Sequence, residues 1–427
     1  MLGVLLTACS STPDSTASSG GAGASNGGSS PHLAGTGGAG AGGAGVSGAG
    51  VSVVGGHSNG GSVGDDAGNS SAGSAGGRRG TTPTPVTWKP LADSADAEVS
   101  INVPSAASRG KDAAVAYMER TTGRVMMQRL DATGERIDAP VQLASDAVER
   151  SNVTLASDGK QYAACWSVAA EVHCSLVDEQ GAVHLNALSV SGQTATIVAS
   201  AEGWVLAYTA SDKHVYLQRL SPALDLTGKF VATQWFAQFS SQDSAPLFAA
   251  TPSGFVLVAA NKEGGDLDLV RLGADLQSVV ATAALGHNLW FAAQLVATDT
   301  RAAVSIGIPY GSFLQLLNEK ELTAELPIAG GGKAGTDQAL VLTEGGVGAA
   351  WLDGSAAVHQ RFFADGHDSD IGLDPRTPSN AVLGQPEQGT ESYQQLVQVG
   401  SQVLLVAKAN RYGSLGALRA AALNFNE

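Results

Sequence analysis

Cys165 and Cys174 close the stretch "CWSVAAEVHC". That spacing admits three chemistries: a disulfide, two buried thiols, or part of a metal site. Two cysteines alone leave a tetrahedral metal site half built. Val168-Ala169-Ala170-Glu171 reads as a hairpin loop between two strands. A turn centred on Ala169-Ala170 sets Cys165 opposite Cys174. Directly opposed residues have Cβ atoms about 4.5–5.5 Å apart or closer, so a bridge is feasible. The expectation is a disulfide.

Other reactive side chains are dispersed. The eight histidines include no HxH or HExxH spacing. His173 and His359 fall at matching places in two repeats, while His184, His214, His287 and His367 are scattered. They read as satisfied or exposed histidines. The run "DGHDSDIGLD", Asp365 to Asp374, is rich in carboxylates and suits Ca²⁺ by composition. It misses the EF-hand spacing and reads as a solvated loop. No GxSxG, P-loop or Rossmann fingerprint stands in its required context. The expectation is therefore no metal and no cofactor. Two aromatic stretches match each other, "QWFAQF" at Gln234 to Phe239 and "LWFAAQ" at Leu289 to Gln294. Entering successive repeats, they would bring Trp235, Phe236, Trp290 and Phe291 together. Ordinary packing between repeats is one reading. An aromatic platform for a sugar or peptide is the other, and these four are the candidate ligand-binding residues.

The elements that must position these residues come from a repeat. "HVYLQRLSPALDLTG" (His214 to Gly228) echoes "RVMMQRLDATG" upstream and "AVHQRFFADG" downstream. From Glu98 onward, apolar residues alternate with polar ones, and Gly, Asp, Ser and Asn punctuate every eight to twelve residues. Strands ending at Tyr117, Trp166, Tyr208, Ala259, Ile306, Trp351 and Ala407 recur at a period that suits propeller-type units. Each has a strand and tight turn before it, a third strand after it, and usually a weaker fourth. Four short antiparallel strands in each of seven units predict an all-β, seven-bladed β-propeller. The blades run roughly 98–145, 146–192, 193–235, 236–287, 288–332, 333–379 and 380–427. Six or eight blades, or two β-sandwiches, are the alternatives. The last unit lacks a strand, and the extended piece Thr84 to Ala92 is predicted to supply it, removing two open edges. The arginine of the echo recurs at Arg129, Arg219, Arg271, Arg361 and Arg419. It is expected to pack its stem between blades and pair with a loop carboxylate, rather than form a functional ring.

The opening "MLGVLLTACSS" resembles the lipobox of bacterial lipoproteins: Leu6, two small residues, then Cys9. The apolar run is short and no Lys or Arg precedes it. The resemblance implies that residues 1–9 are a signal remnant, that Cys9 is acylated, and that the protein is exported and held in a membrane by its acyl chains. Ser10 after the cysteine implies, by the same resemblance, the outer membrane. Residues 10–83 are nearly all Gly, Ser and Ala. Such a segment buries too little apolar area to offset its conformational entropy and is expected to be a disordered tether. Roughly 70 such residues reach about 45–50 Å.

The 427-residue chain carries a formal net charge of -15, which gives no basic footprint for nucleic acid. The expected partner list is the membrane, through the lipid anchor, and a glycan or peptide ligand, with the body a monomer. The expected function is a surface-tethered binding or scaffold module. The alternative is an extracellular propeller enzyme, a hydrolase or lyase on polysaccharide or peptide. Fold alone does not choose between them.

Overall fold

The computed structural model describes residues 87–91, 104–119, 122–145, 153–237, 245–285, 294–308, 311–318, 321–322, 326–329, 338–343, 346–352, 357–364, 381–382, 392–411 and 414–423. Cys9 and the Gly-rich segment to residue 83 lie outside them, as do Trp290, Phe291, His287, His367 and the acidic run from Asp365.

The described residues form antiparallel strands and no helix. Sheet I contains Ser105–Ser108, Ala113–Met118, Val125–Leu130 and Val141–Ala144. Sheet II contains Val153–Ser157, Tyr162–Val168, Glu171–Val177 and Val183–Ser191. Sheet III contains Thr194–Ser200, Gly203–Thr209, His214–Leu220 and Leu226–Phe236. Sheet IV contains Leu247–Thr251, Gly254–Ala260, Leu267–Gly273 and Val279–Ala284. A single pairing, Phe236 with Ala260, joins sheets III and IV. Sheet V holds Leu295–Ala297, Arg301–Ile308 and Gly311–Asn318, with Glu321–Leu322 and Leu326–Ala329 both on the last of these. Sheet VI holds Gln338–Thr343, Gly346–Leu352, Ala357–Ala364 and Ala381–Val382. Sheet VII holds Ser392–Val399, Gln402–Arg411 and Ser414–Leu423. Its fourth strand comes from the other end of the chain: Lys89 pairs with Ala420 and Pro90 with Arg419.

The arrangement is propeller-like. The first strand of each sheet contacts the first strand of the next, and the first strand of sheet VII returns to that of sheet I. In sheets I to IV the second strand is covered on both faces. In sheet I, Ala113, Val115 and Tyr117 enter a core shared with sheet VII, whereas Ala114, Ala116 and Met118 enter one shared with sheet II. Sheet III divides in the same way: Trp204, Leu206 and Tyr208 face sheet II, and Val205 and Ala207 face sheet IV. This two-sided burial explains why the second strands read as unbroken apolar runs instead of alternating ones. Fully burying one Val or Leu contributes about 1.5–3 kcal/mol, so these strands dominate the packing energy.

The first strands carry the ties between neighbours. Leu155 N donates to Ser105 Oγ at 2.9 Å, and Ile197 N to Thr154 Oγ1 at 3.3 Å. Thr196 Oγ1 donates to the Pro246 carbonyl at 2.6 Å, and Leu340 N to Gln294 Oε1 at 3.0 Å. Ala106 N donates to Gln395 Oε1 at 2.5 Å, linking sheet I to sheet VII. A polar side chain in or beside a first strand thus satisfies a backbone group of the adjacent sheet, which a buried backbone group requires.

Candidate functional site

Sheet III supplies the aromatic surface. Trp235 and Phe236 end its fourth strand, and consecutive strand residues point to opposite faces. Trp235 is 6% exposed and lies in the core between sheets III and IV, among Val215, Leu217, Phe255 and Leu257. Its indole is committed to packing, which takes Trp235 out of the aromatic platform expected from the sequence. Phe236 is half-buried and is paired with His214 in the ladder, with ring centroids 4.1 Å apart.

From His214 the row continues. His214 and Tyr216 are two apart on one strand and so share a face. Tyr216 stacks on Tyr208 at 5.5 Å and meets Phe230 edge-on at 5.7 Å. Phe230 sits diagonally across from Tyr216, because Tyr216 is in register with Ala232. Phe230 is 57% exposed. The result is a row of rings shared by the third and fourth strands: His214 and Tyr216 on the third, Phe230 and Phe236 on the fourth.

A carboxylate marks this line. Tyr216 Oη donates to Asp212 Oδ2 at 2.6 Å, and His214 N donates to Asp212 Oδ1 at 3.1 Å. The Tyr216 hydroxyl lowers the Asp212 pKa, and the same bond raises that of Tyr216. Lys213, in a left-handed conformation at φ 65°, forms an ion pair with Glu263 of the equivalent loop in sheet IV. His214 Nδ1 lies 3.3 Å from the Thr233 carbonyl, so that nitrogen carries the proton. The exposed Phe230 ring can stack on apolar C–H faces, and the nearby Asp212 carboxylate can accept hydrogen bonds from hydroxyls or amides. The sequence signal for this row was the His-x-Tyr alternation at 214 and 216. Phe230 joins it only through a register shift in the ladder.

A second cluster has the residue types of a catalytic site and is closed. Arg109 grips Asp112 through Nε at 2.9 Å and Nη2 at 2.6 Å. Arg129 Nη2 and Tyr162 Oη donate to the same carboxylate at 2.8 Å and 2.9 Å. The Arg109 guanidinium lies 4.8 Å above the Tyr162 ring. Although burial pushes the Asp112 pKa upward, the three donors hold it well below the carboxylate range; burial likewise pushes Tyr162 far up. Asp112 is 3% exposed and Arg109 8%, so the cluster is a saturated clamp between sheets I and II.

The recurring arginines divide. Arg129 donates to Asp112 and Asp138, and Arg219 to Glu202 and to the Ala274 carbonyl in sheet IV. Arg271 donates to the Thr298 and Asp299 carbonyls in sheet V. The glutamine before two of them has its own task. Gln128 Nε2 donates to the Arg129 and Asp138 carbonyls, and Gln218 Nε2 to those of Arg219 and Thr227. Each pins a third strand to the segment that follows it.

Cys165 and Cys174 are directly paired across the Ala169–Ala170 turn and are joined as a disulfide, with Cα atoms 4.1 Å apart. His173 lies 3.5 Å from Glu171 and His184 2.9 Å from Asp178, both on sheet II. Among the described residues, no three His, Cys, Asp or Glu side chains gather as a metal site would need. No helix there is long and apolar enough to cross a membrane.

No family model matches the chain, and no curated protein does. Solved structures give distant likenesses. The SapL1 lectin, in complex with α-methyl fucoside, aligns with 78% of this chain and 96% of its own at 10% identity, TM-score 0.45. The Cps50 (Swd1) β-propeller domain of Myceliophteria thermophila aligns with 80% of this chain and 100% of its own at 10% identity, TM-score 0.45. A prolyl endopeptidase aligns with 76% of this chain at 11% identity, TM-score 0.40; there the match spans 47% of the other protein's length.

Proposed function

We propose that this protein is a ligand-binding module: a seven-bladed β-propeller held at the cell surface by a lipid on Cys9 and a Gly/Ser/Ala-rich tether over residues 10–83. The body, from residue 84 onward, is a monomer, and the anchor lies in the outer membrane. The ligand is a glycan or an extended peptide bound along sheet III. One observation carries the reading: the row of Phe236, His214, Tyr216 and Phe230 beside Asp212, half-buried except at the exposed Phe230. The first strands also support binding over turnover. The hydroxyl and amide side chains in or beside them, at Ser105, Thr154, Thr196, Gln294 and Gln395, are engaged in tying sheets together.

The test is a glycan and peptide array probed with the full-length protein, followed by titration of the best ligand against Phe230→Ala and Tyr216→Ala. A Phe or Tyr that stacks on a ligand loses about 1–3 kcal/mol on truncation, or roughly 5–150-fold in affinity. Binding that is unchanged in both variants would remove sheet III as the site.

A further inference from the structure

Arg271 stands on the third strand of sheet IV, in the place that Arg129 holds in sheet I and Arg219 in sheet III. Its counterparts have carboxylates: Asp112 and Asp138 for Arg129, Glu202 for Arg219. Arg271 has none within ion-pair distance among the described residues. It is 7% exposed, and its Nη1 donates to the carbonyls of Thr298 at 3.1 Å and Asp299 at 2.8 Å. Its Nε and Nη2 are buried and have no hydrogen-bond partner.

Those two nitrogens form one edge of the guanidinium. It is the edge by which Arg109 takes both oxygens of Asp112. In Arg271 the same fork is turned into the boundary between sheets IV and V and holds no protein group. Burying donors that have no acceptor is costly, and burial lowers the Arg271 pKa although the more distant Asp299 charge opposes it. The geometry points to a binding site for a small carboxylate-type monoanion on the Nε–Nη2 edge of Arg271. Formate, acetate and bicarbonate present the two-oxygen edge that the fork matches; a halide does not.

The surroundings set the charge of the ligand. The Asp299 carboxylate acts on Arg271 through space, and it is held by Ser253 N at 2.8 Å and Ser253 Oγ at 2.6 Å. A fixed negative charge beside the site disfavours dianions such as phosphate. The repeat supplies the reason that no protein acid meets this fork. In sheet I the turn after the first strand delivers Asp112; in sheet IV the turn Thr251-Pro252-Ser253-Gly254 contains no acid.

Equilibrium dialysis of the full-length protein against radiolabelled formate tests this, with ionic strength held constant by sodium chloride. The two nitrogens are shielded from solvent, so incubation runs overnight. The expected result is one formate per chain at saturation. The melting temperature should rise by about 1–3 °C at tenfold excess over the dissociation constant, with no such rise in chloride alone. Arg271→Lys keeps the charge and loses the fork, and should lose both effects; Arg271→Gln serves if the lysine variant does not fold. Wild-type uptake no greater than the chloride control overturns the site, as does undiminished uptake by either folded variant.

Discussion

Gln395 accepts the backbone N–H of Ala106 at 2.5 Å, across 289 residues of sequence. This bond joins the first strand of sheet VII to the first strand of sheet I, where the two ends of the repeat meet. The same boundary carries the core of Leu91, Val115, Tyr117, Leu404, Val406 and Leu418. Replacing Gln395 by Ala leaves the Ala106 N–H without a partner and should cost about 1–3 kcal/mol. Urea denaturation compared with Gln294→Ala, an equivalent tie elsewhere, checks this. A loss below about 0.5 kcal/mol in Gln395→Ala would mean that the closing tie does not hold the two sheets together.

Leu91 tests the same boundary through packing. It is fully buried, and its N–H donates to the Leu418 carbonyl at 3.0 Å. Leu91→Ala should lower stability by about 2–5 kcal/mol, the usual range for a buried leucine. Deletion of residues 84–92 should lower it by more, because the outer edge of sheet VII then opens. A melting temperature equal to the wild type in either variant would count against strand capture.

Asp112 makes the fold acid-sensitive in a defined window. Its folded pKa is depressed by Arg109, Arg129 and Tyr162. A depressed carboxylate contributes stability that is complete above its unfolded pKa, near 3.9, and is lost as pH falls through the folded value. Wild-type stability from this group should therefore hold at pH 5 and above and fall below about pH 4. Asp112→Asn leaves Arg109 buried without its counter-ion and should cost about 3–5 kcal/mol at pH 7. Stability curves between pH 2 and 7 for both proteins check the sign: the gap should narrow toward low pH.

The sheet II hairpin gives a redox prediction. With Cys165 and Cys174 bridged, denatured but unreduced protein should show neither thiol to a thiol reagent. Reduction should lower stability by about 2–3 kcal/mol, from the entropy of a short closed loop. Reagent counts that include both thiols before reduction would exclude the bridge.

Local residue patterns carried much of the architecture. Apolar runs bounded by Gly and Asp turns announce strands, because a second strand buried on both faces must be apolar throughout, as in Ala113–Met118 and Gly254–Ala260. The hairpin turn that opposes Cys165 and Cys174 is set by two residues and needs no distant contact. The repeated Gln-Arg was legible as a repeat but not as a mechanism. Its partners are main-chain carbonyls, which leave no trace in side-chain identity.

Tertiary structure decided the rest. It buried Trp235 and left Phe230 open, an outcome set by strand parity and the register shifts in Leu226–Phe236. It brought Asp112, Arg129 and Tyr162 together from three strands, and it left Arg271 without a matching acid. Strand-forming tendency acts between neighbours in sequence and can be read from them. Which buried charge meets which depends on how adjacent sheets face each other, and only packing over the whole body determines that.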